Sequence, residues 1–315
     1  MPFHALHASL LLSAIVLAGC AASPASVQAT AFPAFPASTA TPATAATALT
    51  DYSQTEPLGA AMQGWAYPYP VQMYQFEHDG RLLRMAYMDT QPIKPNGQTV
   101  ILFHGKNFGA DYWFNTLQAL SAKGYRVIAP DQVGFGKSSK PEIRYTFGLL
   151  ADNTARLLDH LKVGWVAIVG NSMGGMLGVH FALRHPQRVT ALVLENPLGL
   201  ENYATSIAPQ DTANLLQLEM AQTTTSYRAF IKTYFNDNYR PEFERFVEQF
   251  ARAQLSSEYP RFAHVSALTY QMIHDGSVYN ALPKLTVPTL LPIGQLDRTV
   301  FGRRFAPPRS DQAAG

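Results

Sequence analysis

Residues 165–178 read Trp165-Val166-Ala167-Ile168-Val169-Gly170-Asn171-Ser172-Met173-Gly174-Gly175-Met176-Leu177-Gly178. The β-branched apolar run predicts a buried strand, and the text from Gly174 onward predicts a helix. Between them Gly170, Ser172 and Gly174 spell G-x-S-x-G, the pattern of a nucleophile elbow. In that setting the chain turns sharply from strand into helix and holds the serine hydroxyl out at the carboxyl edge of a sheet. Glycine is required at 170 and 174 because a side chain would collide where strand and helix nearly touch. The turn also puts the Met173 N–H at a helix N-terminus, where negative charge growing on an oxygen is stabilised.

The chain has 315 residues, 47% of them hydrophobic, enough for one large α/β domain with an insertion. A net charge of +2 gives no reason to expect nucleic acid as a partner, and no basic stripe interleaved with aromatics is present. The one long apolar run, 10–19, is followed by the single cysteine, Cys20. Its length and small-residue ending predict a secretory signal over 1–20 rather than a spanning helix. Residues 21–60 are rich in Ala, Pro, Thr and Ser with almost no charge, and are expected to be a tether.

Beyond the tether, 71–78 and 81–88 predict a hairpin around Asp79-Gly80. Strands are predicted at 99–103, 126–129, 166–170, 189–194 and 287–293, and helices at 111–122, 146–161 and 174–185. Alternating strands and helices give a doubly wound, mostly parallel sheet. The interval 199–283 is too long for a loop and has helical patterning, so it is expected to form a cap over the carboxyl ends of the strands. Tyr227, Tyr234, Tyr239, Tyr270 and Met272 within it suggest a largely apolar cavity beneath. The core then occupies 61–198 and 284–301.

Three motifs, each after a strand, carry a resemblance: His104-Gly105, Asp131 to Ser138, and Gly170-Asn171-Ser172-Met173-Gly174-Gly175. With them the chain resembles the α/β-hydrolase fold family from about residue 70 to Asp297. The resemblance implies Ser172 as nucleophile and an oxyanion hole from the Met173 N–H and one near Lys106, with Asn107 as a second candidate for that wall. It implies a structural role for His104, and a turn-forming role without chemistry for Asp131, Gly134, Gly136 and Ser138. It implies Asp297 as the triad acid, buried behind a late strand, with Glu195 as runner-up; Pro292 departs from the strand pattern by removing a ladder donor. Leu17-Ala18-Gly19-Cys20 resembles a bacterial lipobox, which implies lipidation at Cys20 and an exported, membrane-anchored protein. Against this, residues 1–9 hold no Lys or Arg.

The fold's chain order is Ser, then Asp or Glu, then His. Residues 298–315 contain no histidine, and from Gly302 the text turns Arg/Pro/Ala-rich, an aberrant tail over 302–315. The expectation is that the reading frame is lost, or the gene cut short, near residue 301, with the last strand and helix missing. The leading reading is a serine hydrolase acting on a small, apolar ester or related acyl substrate, without cofactor or metal. Two alternatives stand beside it: an inactive remnant that only binds apolar ligands, and a haloperoxidase, lactonase or C–C hydrolase on the same fold.

Overall fold

The computed structural model describes residues 50–305 except 236, 238 and 298. The signal segment, Cys20, the tether up to residue 49 and the tail from 306 lie outside the described residues. No helix among the described residues is long and apolar enough to cross a membrane.

Strand β1 (Val71–His78) pairs antiparallel with β2 (Arg81–Thr90), and His78 faces Arg81 across the turn. Asp79 and Gly80 both have positive φ (49° and 70°), as a two-residue hairpin turn whose twist matches the strands requires. The chain continues through β3 (Thr99–Phe103), α1 (Phe114–Ala122), β4 (Arg126–Pro130), α2 (Phe147–His160), β5 (Val166–Asn171), α3 (Met173–Arg184) and β6 (Val189–Glu195). The cap follows: α4 (Tyr203–Ser206), α5 (Thr212–Met220), α6 (Thr224–Tyr234), α7 (Glu244–Gln254) and α8 (Tyr259–Asp275). The last strand is β7 (Thr289–Leu290).

The seven strands lie in the order β1-β2-β4-β3-β5-β6-β7. Both pairings of β2 are antiparallel and the rest are parallel. This is the doubly wound, mostly parallel sheet expected. Successive side chains of a strand face opposite ways, so each central strand feeds two cores. Ile101, Phe103, Ile128 and Ile168 join Leu150, Leu157, Met176 and Phe181 of α2 and α3 on one face. Val100, Leu102, Val127, Ala129 and Val169 meet Trp113 and Leu117 on the other. Burial on both faces explains why these strands read as continuous apolar runs.

Three boundaries differ from the sequence reading. The strand expected over 287–293 pairs with β6 only at Thr289 and Leu290. Pro288 and Pro292 bracket it, and neither has an N–H to give the ladder. Their carbonyls still accept from Leu192 N (2.9 Å) and Asn196 N (3.0 Å), so the chain runs on beside β6 without full pairing.

The second correction is at the end of the tether. Tyr52 and Leu58 are buried, Leu58 N donates to Arg252 O (2.9 Å), and Ala60 N donates to Glu258 Oε2 (2.7 Å). Residues 50–60 pack on the cap because two large apolar side chains there find a partner. The third is the start of the tail. Phe301 lies against Tyr270 and Tyr203 (centroids 4.6 and 4.8 Å), and Phe305 meets Tyr270 edge-on, so 301–305 are held by aromatic contacts with α8 and α4.

Candidate active site

Ser172 follows β5 and caps α3 with φ 55° and ψ −117°, a conformation costly for a residue with a Cβ. The surroundings hold it there. Ser172 N donates to Glu195 O (3.0 Å), and Ser172 O accepts from Gly175 N (3.0 Å) and Leu198 N (3.1 Å). The elbow glycines are forced by contact: a Cβ on Gly170 would stand 2.3 Å from Gly174 O, and one on Gly174 would stand 2.1 Å from Phe103 O. The Met173 amide is the first of α3 and has no intrahelical acceptor. Across from it runs the 104–107 loop, where a Cβ on Gly105 would lie 3.3 Å from Ser172 Cβ. The backbone around Lys106 thus lies on the serine's flank. Asn107 takes a left-handed conformation (φ 73°) that asparagine tolerates.

His104 is structural. It is fully buried; its Nε2 accepts from Gln132 N (3.0 Å), so Nδ1 carries the proton and donates to Gly105 O (2.9 Å). Burial lowers its pKa to about 4. Asp131 is equally architectural: its carboxylate accepts from Ala110 N (2.6 Å), Tyr67 Oη (2.6 Å) and Lys137 N (2.7 Å).

Ser172 opens into a cavity of about 660 Å³ lined by Phe108, Tyr112, Tyr234, Phe235 and Phe246, with Asn171, Asn196, Gln295, Asp297 and Thr299 as its polar members. The structure therefore brings Ser172 and Asp297 to one cavity. Asp297 is exposed, however, not the buried carboxylate expected, and its Oδ1 accepts from Thr299 N (2.8 Å) in a local turn. Glu195 is half-buried, and burial raises its carboxyl pKa. Lys106 lines not this cavity but a second chamber, where its ammonium donates to Ser266 Oγ (2.7 Å).

No histidine lines the Ser172 cavity among the described residues. His180 is bonded to Gly276 O (2.8 Å), His185 to Asp152 (3.1 Å) and His264 to Glu142 (3.5 Å). His274 contacts Asp275 (2.9 Å) and Ile207 O (3.1 Å). Sequence reading passed over Tyr112: its hydroxyl is buried without a hydrogen-bond partner among the described residues, at the wall of the serine's cavity. Burial raises this phenol's pKa far above its ordinary value, so it stays a donor. Nothing in the sequence marks one tyrosine of fifteen for this place.

Residues 98–298 match the family model described as alpha/beta hydrolase fold. The chain belongs to that family. It is 33% identical over 214 residues to 2-hydroxy-6-oxo-6-(2'-aminophenyl)hexa-2,4-dienoic acid hydrolase of Metapseudomonas resinovorans, covering 65% of this chain and 69% of that one. It is 29% identical over 235 residues to 2-hydroxymuconate semialdehyde hydrolase of Pseudomonas sp. strain CF600, covering 66% and 80%. Among solved structures it is similar to a probable hydrolytic enzyme of Pseudomonas aeruginosa PAO1, with 40% identity, a TM-score of 0.79 and coverage of 82% and 84%.

Proposed function

We propose that this α/β hydrolase acts on an ester or related acyl substrate with Ser172 as nucleophile. The observation that carries the reading is the strained serine, open to a cavity with five aromatic walls and flanked by the Met173 amide and the 105–106 backbone. In the first step the Ser172 oxygen attacks the carbonyl carbon, and the two amides receive the oxyanion. The alkoxide leaves with the serine's proton, giving an acyl-serine and an alcohol; water then releases the acid and restores the hydroxyl. Asp297 is the one charged residue lining this cavity among the described residues.

A serine hydroxyl is a weak nucleophile without an adjacent base. Removing the histidine of a serine protease costs on the order of a millionfold in turnover. Among the described residues no imidazole reaches this cavity, and an ester asks least of such a set, because an alkoxide needs less help from an acid than a carbon leaving group does. The test supplies the base from solution. Purified chain is assayed with a p-nitrophenyl ester and a fluorophosphonate, with and without added imidazole. Turnover above the imidazole-catalysed background, and labelling, are expected to rise with imidazole and to vanish in Ser172→Ala. Labelling that persists in Ser172→Ala, or none under any condition, would overturn the reading and leave a fold that only binds.

A second reading, C–C bond hydrolysis, is favoured by the relatives, whose names specify 6-oxo-dienoic acid and semialdehyde substrates. Running a 2-hydroxy-6-oxo-dienoate beside the ester in the same assay separates the two. Export and lipidation at Cys20 belong to this proposal as well. Cys20→Ser is expected to abolish incorporation of labelled fatty acid and to move the protein from membrane to soluble fractions.

A further inference from the structure

Among the described residues five buried side-chain polar atoms have no hydrogen-bond partner. Tyr112 Oη is the one that belongs to a residue lining the Ser172 cavity. A buried hydroxyl left unpaired is costly to keep, so its place in the fold asks for a reason. The ring is held firmly: it stacks on Trp113 (centroids 4.6 Å) and leans against Phe108 (5.4 Å). The groups that act on the phenol locate its oxygen. They are the Tyr234 phenol, the Gly105 amide, Glu195 and Asp111. Three of these residues also border the nucleophile. Tyr234 Oη reaches Asn171 Oδ1 (3.5 Å), a Cβ on Gly105 would stand 3.3 Å from Ser172 Cβ, and Glu195 O accepts from Ser172 N (3.0 Å). The Tyr112 hydroxyl therefore stands on the flank of the serine formed by the 104–107 loop, near the Gly105 amide without being bonded to it.

A phenol carries one proton to donate. The acceptor that this proton lacks arrives when a substrate carbonyl reaches Ser172 and its oxygen gathers negative charge. We propose that the Tyr112 hydroxyl is a third donor to that oxygen, beside the Met173 amide and the 105–106 backbone. The assignment rests on the hydrolase reading and adds a catalytic residue to it. As the Ser172 oxygen bonds to the carbonyl carbon, the π pair of the C=O bond moves onto oxygen, which the three donors then hold. On collapse that pair re-forms the C=O bond, and the alkoxide leaves with the serine's proton. The phenol keeps its own proton throughout, because burial holds its pKa far above the ordinary value. Its hydrogen bond strengthens as charge develops, so it favours the transition state over the bound substrate and acts on turnover more than on binding.

Tyr112→Phe removes the oxygen and keeps the ring. In the imidazole-supplemented ester assay it is expected to lower kcat by on the order of 10²–10³-fold, as loss of one oxyanion donor does, with KM held within about twofold. The same variant is expected to unfold at an equal or higher urea midpoint, since no bond within the protein goes with the hydroxyl. A structural role would give the opposite pair, lower stability with unchanged kcat. A second readout needs no turnover. Ser172→Ala protein is loaded with ethyl butanoate carrying ¹³C at the carbonyl, and its C=O stretch is followed by infrared difference spectra. The stretch is expected at lower wavenumber there than in the Ser172→Ala, Tyr112→Phe double variant. An unchanged kcat, a Tyr112→Phe protein that is less stable or does not fold, or one stretch common to both proteins overturns the proposal. Ser172-dependent turnover that ignores Tyr112 would leave the hydrolase reading standing without this donor. A shifted stretch with no turnover in any variant would keep the donor and remove that reading.

Discussion

At Ser172 the polypeptide holds a side-chain-bearing residue at φ 55° and ψ −117°, a region that glycine occupies freely. The strain is of order 1–3 kcal/mol, carried by the packing around the elbow. Ser172→Gly is therefore expected to be more stable than Ser172→Ala by about 1–2 kcal/mol, read from urea midpoints at equal slope. Gly174→Ala goes the other way. Its new methyl would meet the Phe103 carbonyl at 2.1 Å, backbone that cannot step aside, and a loss of about 3 kcal/mol or more is expected in the same measurement. This geometry was legible in the sequence because glycine spacing encodes backbone contacts directly. Lys106 and Tyr112 were not legible in the same way. A motif places a residue on a loop, but which chamber its side chain enters depends on cap residues such as Ser266, 160 positions later.

At the scale of elements, the order of strands and helices was readable from hydrophobic period and turn chemistry, from the Asp79-Gly80 hairpin to α2 with its Thr146 cap (Leu149 N to Thr146 Oγ1, 3.0 Å). The short β7 was not, since Leu290 and Leu291 look alike in a list of letters and only pairing tells them apart. Nor was the strap over 50–60. Its composition resembles a linker, but Leu58, Met62 and Trp65 form a small buried cluster, and Trp65 Nε1 donates to Asp111 (3.0 Å). Leu58→Ala is expected to cost about 2–4 kcal/mol by calorimetry or urea, as a core leucine would, where a tether residue would cost almost nothing. Asp111 also receives Arg245 Nη2 of α7 (2.8 Å), although burial, together with the neighbouring Asp131 charge, raises its carboxyl pKa. Arg245→Met leaves that carboxylate buried beside Trp65 only, and a loss of about 3 kcal/mol is expected at pH 8. The deficit should shrink as pH falls, because a carboxyl whose folded pKa is raised destabilises the fold only when ionised.

For the whole molecule, His104 sets an acid limit. Its folded pKa of about 4 lies below the usual value of 6.5 because full burial disfavours the charged ring, whose Nε2 is engaged in accepting the Gln132 N–H. Between those two values the unfolded chain binds a proton that the folded chain refuses. The stability His104 contributes is thus complete above pH 6.5 and is lost as pH falls toward 4, by about 3 kcal/mol in all. Urea midpoints from pH 7 to 4.5 should show this slope, and the His104 ring resonances should not titrate before the protein loosens. A second property of the whole concerns where the cap joins the core. Leu198 N reaches Ser172 O (3.1 Å), and Gly199 O accepts from Val278 N (3.0 Å) and Ser277 Oγ (3.1 Å), so both ends of the inserted helices close on one residue pair from the nucleophile's own peptide. Engineers who exchange this lid for that of a relative will find the splice points decisive. A graft cut between 200 and 276 keeps the clasp and its grip on the reactive serine; one cut at 196 and 279 carries the clasp away and slackens the elbow it was meant to cover.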